Sequence, residues 1–223
     1  MPFPTLADVR AALRRPLPGR PAQLTMAPRP RPLDAPPGAN PRQAGVLLLL
    51  YPVDNVLHLV MTARAAHLNF HGGQVSFPGG GWEERDASLQ ETALREACEE
   101  LGVCHDDLEV LGPLTPLYVL PSNNQVHPFV AYTPARPTWR PDPREVAGVL
   151  EVPLERFFDP QIRGVETRER DGQPLHVPFY ALGEAKVWGA TAGILAELTS
   201  AIAAAPRPVS AADRPGGPGL PSS

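Results

Sequence analysis

One segment, FPGGGWEERDASLQETALREACEELGV (residues 77–103), restricts the possible fold more than any other part of the chain. Its second half has apolar residues at helical spacing, which predicts an amphipathic helix over about residues 87–101. Gly102 follows at the place where a helix commonly ends in a left-handed residue. The helix should therefore pack on a hydrophobic core through one face, which consists of Leu89, Ala93, Leu94, Ala97, Cys98 and Leu101.

Three glutamates, Glu96, Glu99 and Glu100, lie off this apolar face within little more than one helical turn. Like charges at such spacing repel each other. One interpretation is a solvated acidic face. The other is a divalent-metal site, where carboxylates offset the charge of the ion. The PGG turn favours the metal site because it lets backbone carbonyls approach an ion closely. Arg95 can also reach back to one of the acids of the preceding loop, Glu83, Glu84 and Asp86.

The surrounding sequence is mostly typical of β-strands. GVLLLLY (45–51) and VLHLVMT (56–62) predict two strands joined by the turn PVDN, and GGQVSFPGGG contains a short third strand. Further strands are predicted at 108–111, 126–132 and 177–180, with a hairpin turn at 170–173. A closing amphipathic helix is predicted from residue 188. Because the elements do not follow a regular βαβ rhythm, we predict an α/β domain with a mixed sheet.

Composition sets the limits of this domain. Residues 1–40 are predicted to form one helix, over 6–15, followed by a proline-rich lead. The folded domain is predicted over residues 41–203. Residues 204–223 are predicted to be a disordered Pro/Gly-rich tail. The net charge of −4 argues against a protein that coats nucleic acid. The first 20 residues have no apolar signal region, and no apolar run approaches the length of a membrane span. We therefore expect a cytoplasmic protein without nucleic-acid or membrane partners, with Cys98 and Cys104 as buried thiols in a reducing compartment.

The helix segment matches the signature of a known family. Residues 95–103 resemble the R-E-U-x-E-E-x-G-U half of the Nudix hydrolase signature, in which U is aliphatic. The signature's loop acid would fall on Ala87, and Asp86, one residue earlier, is the acid expected to brace Arg95. The resemblance implies an α/β/α sandwich with a mixed β-sheet. It also implies a site for Mg²⁺ or Mn²⁺ formed by Glu96, Glu99, Glu100 and the Gly80 carbonyl.

An upstream stretch, MTARAAHLNFHGGQVSFPGG (residues 61–80), resembles the coenzyme A pyrophosphatase branch of this family. In that branch T-x-R-x-x-x-L leads into H-x-G-Q-x-x-FPGG, supplied here by Thr62, Arg64, Leu68, His71, Gly73, Gln74 and Phe77–Gly80. The branch implies hydrolysis of coenzyme A, or its derivatives, to 4′-phosphopantetheine and adenosine 3′,5′-bisphosphate. Two alternatives stay open. One is a Nudix hydrolase of ADP-ribose, a dinucleotide or a nucleoside triphosphate, and the other is a non-catalytic Nudix binding module.

The remaining candidate residues each have a functional and a structural interpretation. Glu99 could bind a second ion or orient water. Glu145 is the first candidate for the general base, although a solvated helix-cap acid is an equal interpretation. Arg64 can contact phosphate in a bidentate manner or simply close its strand. His71 can contact phosphate or hydrogen-bond the glycine loop. The expected partner is thus a small-molecule substrate, coenzyme A.

Overall fold

The computed structural model describes residues 4–29, 35–64, 74–104, 108–170 and 172–205. In these ranges the helices are α1 (Leu6–Leu13), α2 (Gly19–Leu24), α3 (Leu89–Leu101) and α4 (Gly189–Ala204). The strands are β1 (Arg42–Val53), β2 (Val56–Arg64), β3 (Val75–Ser76), β4 (Gly79–Gly81), β5 (Glu109–Pro113), β6 (Leu117–Val119), β7 (Asn124–Tyr132), β8 (Val146–Pro153), β9 (Arg163–Arg170), β10 (Gln173–Leu182) and β11 (Ala185–Trp188). None of these helices is long and apolar enough to cross a membrane. The predicted disordered tail lies, from residue 206 onward, outside the described residues.

Eight strands form one mixed sheet. Its main path runs β3-β2-β1-β7-β5, while β4 also pairs with β1, β6 with β7 and β8 with β2. The central pair, β1 and β7, is parallel, and the other pairs described in this sheet are antiparallel. The strands β9, β10 and β11 form a separate antiparallel sheet. The prediction of an α/β domain with a mixed sheet is confirmed.

The central strand β1 is apolar on both faces. Leu48 and Leu50 belong to the core on one side of the sheet, and Leu47 and Leu49 to the core on the other. All four side chains are fully buried. A strand covered on both faces has a continuous apolar run rather than an alternating one, as LLLL shows. Helix α3 covers one face and α4 the other, which produces the α/β/α arrangement.

Local sequence signals fix the ends of α3 and of the hairpins. Ser88 is the N-cap of α3 and accepts a hydrogen bond from the Glu91 N–H, and Gly102 ends the helix with φ of 71°. The turn between β1 and β2 places Asp54 and Asn55 at φ of 49° and 64°, a left-handed conformation that Asn and Asp tolerate. The strands predicted at 45–51, 56–62, 126–132 and 177–180 lie within β1, β2, β7 and β10.

The prediction that the C-terminal helix is amphipathic is wrong. Every residue of α4 from position 191 to 199 is buried, because α1 and α2 pack against this helix in addition to the sheet. The fully buried Glu197 accepts hydrogen bonds from Gln23 Nε2 (2.7 Å), from the Thr115 N–H (3.1 Å) and from the Thr115 hydroxyl (2.5 Å). The N-terminal segment, which the sequence suggested was mostly a proline-rich lead, is therefore attached to the core through α2.

Candidate active site

The glycine turn and helix α3 meet at the β4 edge of the main sheet. Gly80 pairs with Gly45 of β1. A Cβ atom at position 80 would lie 2.3 Å from Glu96 Oε1, and one at position 45 would lie 2.3 Å from the Leu89 carbonyl oxygen. Only glycine permits such close approach of backbone and side chain. The backbone of β4 consequently lies directly against the helix face that carries Glu96.

Asp86 and Arg95 connect the loop before α3 to the helix. Arg95 donates from Nε to Asp86 Oδ1 (2.8 Å), from Nη2 to Asp86 Oδ2 (3.0 Å) and from Nη2 to the Gly81 carbonyl oxygen (3.0 Å). Asp86 also accepts hydrogen bonds from the Glu83 N–H (3.0 Å) and the Thr92 hydroxyl (2.9 Å). The bond from Arg95 holds the pKa of Asp86 well below its usual range, although burial opposes this. The two residues expected to brace the loop are thus brought together, even though Asp86 comes one position early in the signature.

Glu100 is the most deeply buried of the three glutamates, at 2% exposure. Its Oε1 lies 3.4 Å from Arg64 Nη1. Its Oε2 is buried and, within the described parts of the chain, has no hydrogen-bond partner. Burial raises the pKa of Glu100 to about 8, although Arg64 and the Gly79 N–H favour the charged form. This carboxyl therefore occupies a place where a negative charge is only partly compensated.

Glu96 and Glu99 share one arginine. Arg95 Nη1 donates to Glu96 Oε1 (2.9 Å) and to Glu99 Oε2 (3.0 Å). Glu96 is largely buried, and this burial raises its pKa. Glu99 is about half exposed and also accepts a hydrogen bond from Arg85 Nη2 (3.0 Å). Arg85 has no special place in the sequence motif, and only its position in the acidic loop could have suggested this contact.

The oxygen atoms of this site are of the kind that bind hard divalent ions. Carboxylate and carbonyl oxygens are the ligands that Mg²⁺ and Mn²⁺ prefer, and Glu100 Oε2 accepts no hydrogen bond from any residue that the structure describes. No group of three or more His, Cys, Asp or Glu side chains in the described ranges stands in an arrangement that could hold an ion. The glutamates of α3 are instead ion-paired with Arg64, Arg85 and Arg95. The chemistry of the donors fits a hard divalent ion, but these side chains do not form a coordination shell in the observed conformation.

Glu145 lies directly before β8 and close to the glutamates of α3. The next residue along the chain pairs with Arg64 of β2. The loop before Glu145 is tied to the end of α3, since the Asp142 N–H donates to the Glu100 carbonyl oxygen (3.0 Å). The charge of Glu145 adds to the effect of burial in raising the pKa of both Glu96 and Glu100. The helix-cap interpretation of Glu145 is wrong, because a strand follows it.

A cavity of about 1210 Å³ opens beside these residues. Its far wall contains the β9–β10 hairpin, Trp188 and the first turn of α4. The N-terminal segment also contributes, because Pro28 lines the cavity and Arg29 pairs with His176 of β10 through two backbone hydrogen bonds (2.9 and 3.0 Å). The near wall consists of residues described above: Arg64, Gly79–Gly81 and Glu96.

The other residues of the upstream motif (residues 61–80) do not all lie at the cavity. Leu68, His71 and Gly73 lie outside the described residues. Thr62 is fully buried beside Ser76, which indicates a structural role. Sequence reasoning missed several residues on the cavity wall, among them Arg42, Trp82, Asn124, Arg168 and Trp188.

The expectation of two free thiols is wrong. Cys98 and Cys104 form a disulfide, with their Cα atoms 4.4 Å apart. The left-handed conformation of Gly102 reverses the chain after α3 and returns Cys104 to the last turn of the helix. No CXXC spacing marks such a pair, so the sequence carried no signal for it.

Comparisons with known proteins identify the family of this chain. A model of the NUDIX domain matches residues 41–170. Proteins named as uncharacterized Nudix hydrolase NudL from Pectobacterium atrosepticum and Photorhabdus laumondii are each 36% identical to this chain, over 186 and 180 residues. These alignments cover 78% and 81% of this chain and 92% and 93% of the relatives. Among solved structures, a MutT/nudix family protein from Enterococcus faecalis is 15% identical with a TM-score of 0.48, covering 76% of this chain and 65% of that one.

Proposed function

This chain belongs to the NUDIX domain family and, as a Nudix hydrolase, acts on a nucleoside diphosphate derivative; we propose that its substrate is coenzyme A or one of its derivatives. In this reaction the oxygen of water bonds to one phosphorus of the diphosphate. The bond between that phosphorus and the bridging oxygen breaks, and the bridging oxygen leaves on the other phosphate. The protons of water pass to the two phosphate products or to solvent. The products are 4′-phosphopantetheine and adenosine 3′,5′-bisphosphate.

One observation carries the choice of coenzyme A. The stretch that resembles the coenzyme A pyrophosphatase branch contributes Arg64, Gln74 and Phe77 to the cavity beside the glutamates. The general Nudix signature requires nothing at these three positions, of which Arg64 and Gln74 are polar while Phe77 is a buried core residue at the cavity wall. The cavity volume of about 1210 Å³ also suits a long ligand, since typical small-molecule sites measure roughly 300–1,000 Å³.

In this proposal Glu96, Glu99, Glu100 and the Gly80 carbonyl hold Mg²⁺ or Mn²⁺. A bound divalent ion would neutralise charge on the diphosphate and lower the pKa of a water molecule. The strongest support is Glu100 Oε2, which is buried without a hydrogen-bond partner among the described residues. Such an oxygen is costly unless a cation or a donor satisfies it. Arg95 would retain its bidentate bond to the loop while Glu96 and Glu99 turn toward the ion.

The general base in this proposal is Glu145, with Glu99 as the second candidate. Glu145 lies directly before β8, and its charge contributes to the raised pKa values of Glu96 and Glu100, which supports a place near the diphosphate. Arg64 and His71 would contact phosphate oxygens. Arg64 lines the cavity, whereas His71 lies outside the described residues.

The test is incubation of the purified protein with Mn²⁺ and a panel of diphosphates: coenzyme A, ADP-ribose, a diadenosine polyphosphate and a nucleoside triphosphate. Products are identified by mass. We expect coenzyme A to be cleaved with the highest kcat/KM, to 4′-phosphopantetheine and adenosine 3′,5′-bisphosphate. Glu100→Gln serves as the control for contaminating hydrolases. Faster hydrolysis of ADP-ribose than of coenzyme A would replace this proposal with the alternative Nudix substrate class.

A further inference from the structure

Two of the arginines that line the cavity already have carboxylate partners. Arg64 Nη1 lies 3.4 Å from Glu100 Oε1, which places Arg64 beside the glutamates of α3. Arg168 Nη2 lies 2.5 Å from Glu166 Oε1, and its guanidinium carbon lies 4.1 Å from the centroid of the Trp188 ring. Each of these two guanidinium groups therefore has a carboxylate within ion-pair distance.

Arg42 differs from these two arginines. It is the first residue of β1, lines the same cavity and has an exposed side chain. Its Nη2 donates to the carbonyl oxygen of Ser122 at 3.2 Å, and its side chain has no ion pair with any carboxylate that the structure describes. A neutral carbonyl does not compensate the guanidinium charge. Because charge-assisted hydrogen bonds are about twice as strong as neutral ones, an anion in the cavity would compete well for this group.

The strand register gives the position of Arg42 relative to α3. Gly45 of β1 pairs with Gly80, and the backbone at Gly80 lies against Glu96. Three residues of extended strand separate Arg42 from Gly45, which corresponds to about 10 Å between their Cα atoms. The backbone of Arg42 is therefore displaced along β1 from the point where Gly80 meets Glu96, by a length on the scale of a nucleoside rather than of a single phosphate, and its side chain lines the same cavity.

We propose that Arg42 binds an additional phosphate monoester on the nucleoside part of the substrate and so selects nucleoside diphosphate derivatives that carry one. In coenzyme A this group is the 3′-phosphate, and in this form the inference rests on the proposed function. Arg64, beside Glu100, then serves the diphosphate. Asn124 pairs with Arg42 across the parallel strands and lines the same cavity. Its side-chain amide can donate to the same phosphate.

The first experiment compares kcat/KM for coenzyme A and dephospho-coenzyme A with Mn²⁺ in the wild type and in Arg42→Ala, Arg42→Lys and Arg156→Ala. Arg156 is the matched control, because it is an exposed arginine outside the cavity lining whose nearest carboxylate lies 3.8 Å away. We expect the wild type to prefer coenzyme A by about tenfold or more, the scale of a hydrogen bond to a charged group. Arg42→Ala should abolish the preference, Arg42→Lys should retain part of it, and Arg156→Ala should keep it whole.

The second experiment separates failure of this inference from failure of the proposed function. Binding of adenosine 3′,5′-bisphosphate and of AMP is measured by calorimetry on the same variants, without any turnover. Tighter binding of the bisphosphate to the wild type, lost in Arg42→Ala, supports the inference even if coenzyme A proves a poor substrate. Equal binding of the two nucleotides by the wild type overturns it. So does an unchanged preference in Arg42→Ala, and both results leave coenzyme A hydrolysis itself intact.

Discussion

The ion pair between Asp86 and Arg95 allows a quantitative test of how the loop is held on α3. Arg95→Ala removes the bidentate partner of a carboxylate that is only 7% exposed. Removing one member of a buried ion pair costs about 3–5 kcal/mol, because the other charge is left uncompensated. Asp86 keeps two donors, the Glu83 N–H and the Thr92 hydroxyl. We therefore expect the cost to lie at the lower end of this range, so that Arg95→Ala lowers the free energy of unfolding by about 3 kcal/mol.

A double-mutant cycle isolates the interaction. Asp86→Asn keeps an oxygen that can accept hydrogen bonds but removes the charge, so it should cost less than Arg95→Ala. The double variant should be more stable than the sum of the two single effects predicts, with a coupling energy of about 1–3 kcal/mol. Urea denaturation measures all four proteins. Additivity to within about 0.5 kcal/mol would refute the view that these residues act as one brace.

The pH dependence of the same cycle has a defined sign. The pKa of Asp86 is lower in the folded protein than its ordinary value, chiefly through the bond from Arg95. The pair therefore stabilises the fold above the unfolded pKa of about 3.9, and this stabilisation is lost as pH falls through the folded pKa. The stability difference between wild type and Asp86→Asn should be constant near pH 6 and shrink below about pH 4. A difference that grows on acidification would contradict this linkage.

Three further perturbations test other parts of the molecule. Glu100→Gln keeps the side-chain shape but removes a charged oxygen, so kcat at saturating Mn²⁺ should fall roughly a hundredfold or more; normal kcat would exclude Glu100 from the metal site. Glu197→Ala leaves the N–H and hydroxyl of Thr115 without their acceptor, and urea denaturation should show a loss of about 2–3 kcal/mol. Reduction of the Cys98–Cys104 disulfide opens a loop with a sequence separation of only 6, which should cost about 2 kcal/mol; a Cys98→Ala, Cys104→Ala variant should show no response to the reductant.

The predictions that succeeded depend on residues close together in sequence. The apolar face of α3 follows from helical spacing and its ending from Gly102, whereas the Ser88 cap was not predicted. Asp86 and Arg95 are nine residues apart, so a loop and two helical turns suffice to bring them together. For the same reason Glu96, Glu99 and Glu100 could be recognised as one cluster: they share a helix, whatever the rest of the chain does.

The features that sequence reasoning missed depend on contacts between distant segments. Arg42 reaches the cavity because β1 pairs with β4 on one side and with β7 on the other. Pro28 lines it only because the chain at position 29 pairs with β10. The burial of α4 on nearly all sides depends on α1 and α2. The spacing of apolar residues within α4 does not predict that two further helices pack against it. Such partners are set by tertiary packing, which overrides local periodicity.

The carboxylates that repel one another on α3 can be held together because arginines from several elements surround them. Burial of Glu100 is costly: it raises the pKa of this carboxyl to about 8, even with Arg64 and the Gly79 N–H favouring the charged form. Arg64 from β2 offsets part of this cost at Glu100, and Arg95 from the helix does the same for its neighbour Glu96. A divalent cation would compensate the carboxylates in the same way. It carries more positive charge than an arginine, and no side chain loses conformational entropy when it binds. Under the proposed function, Glu100 Oε2, which has no hydrogen-bond partner in the described parts of the chain, is the oxygen whose charge such an ion would compensate.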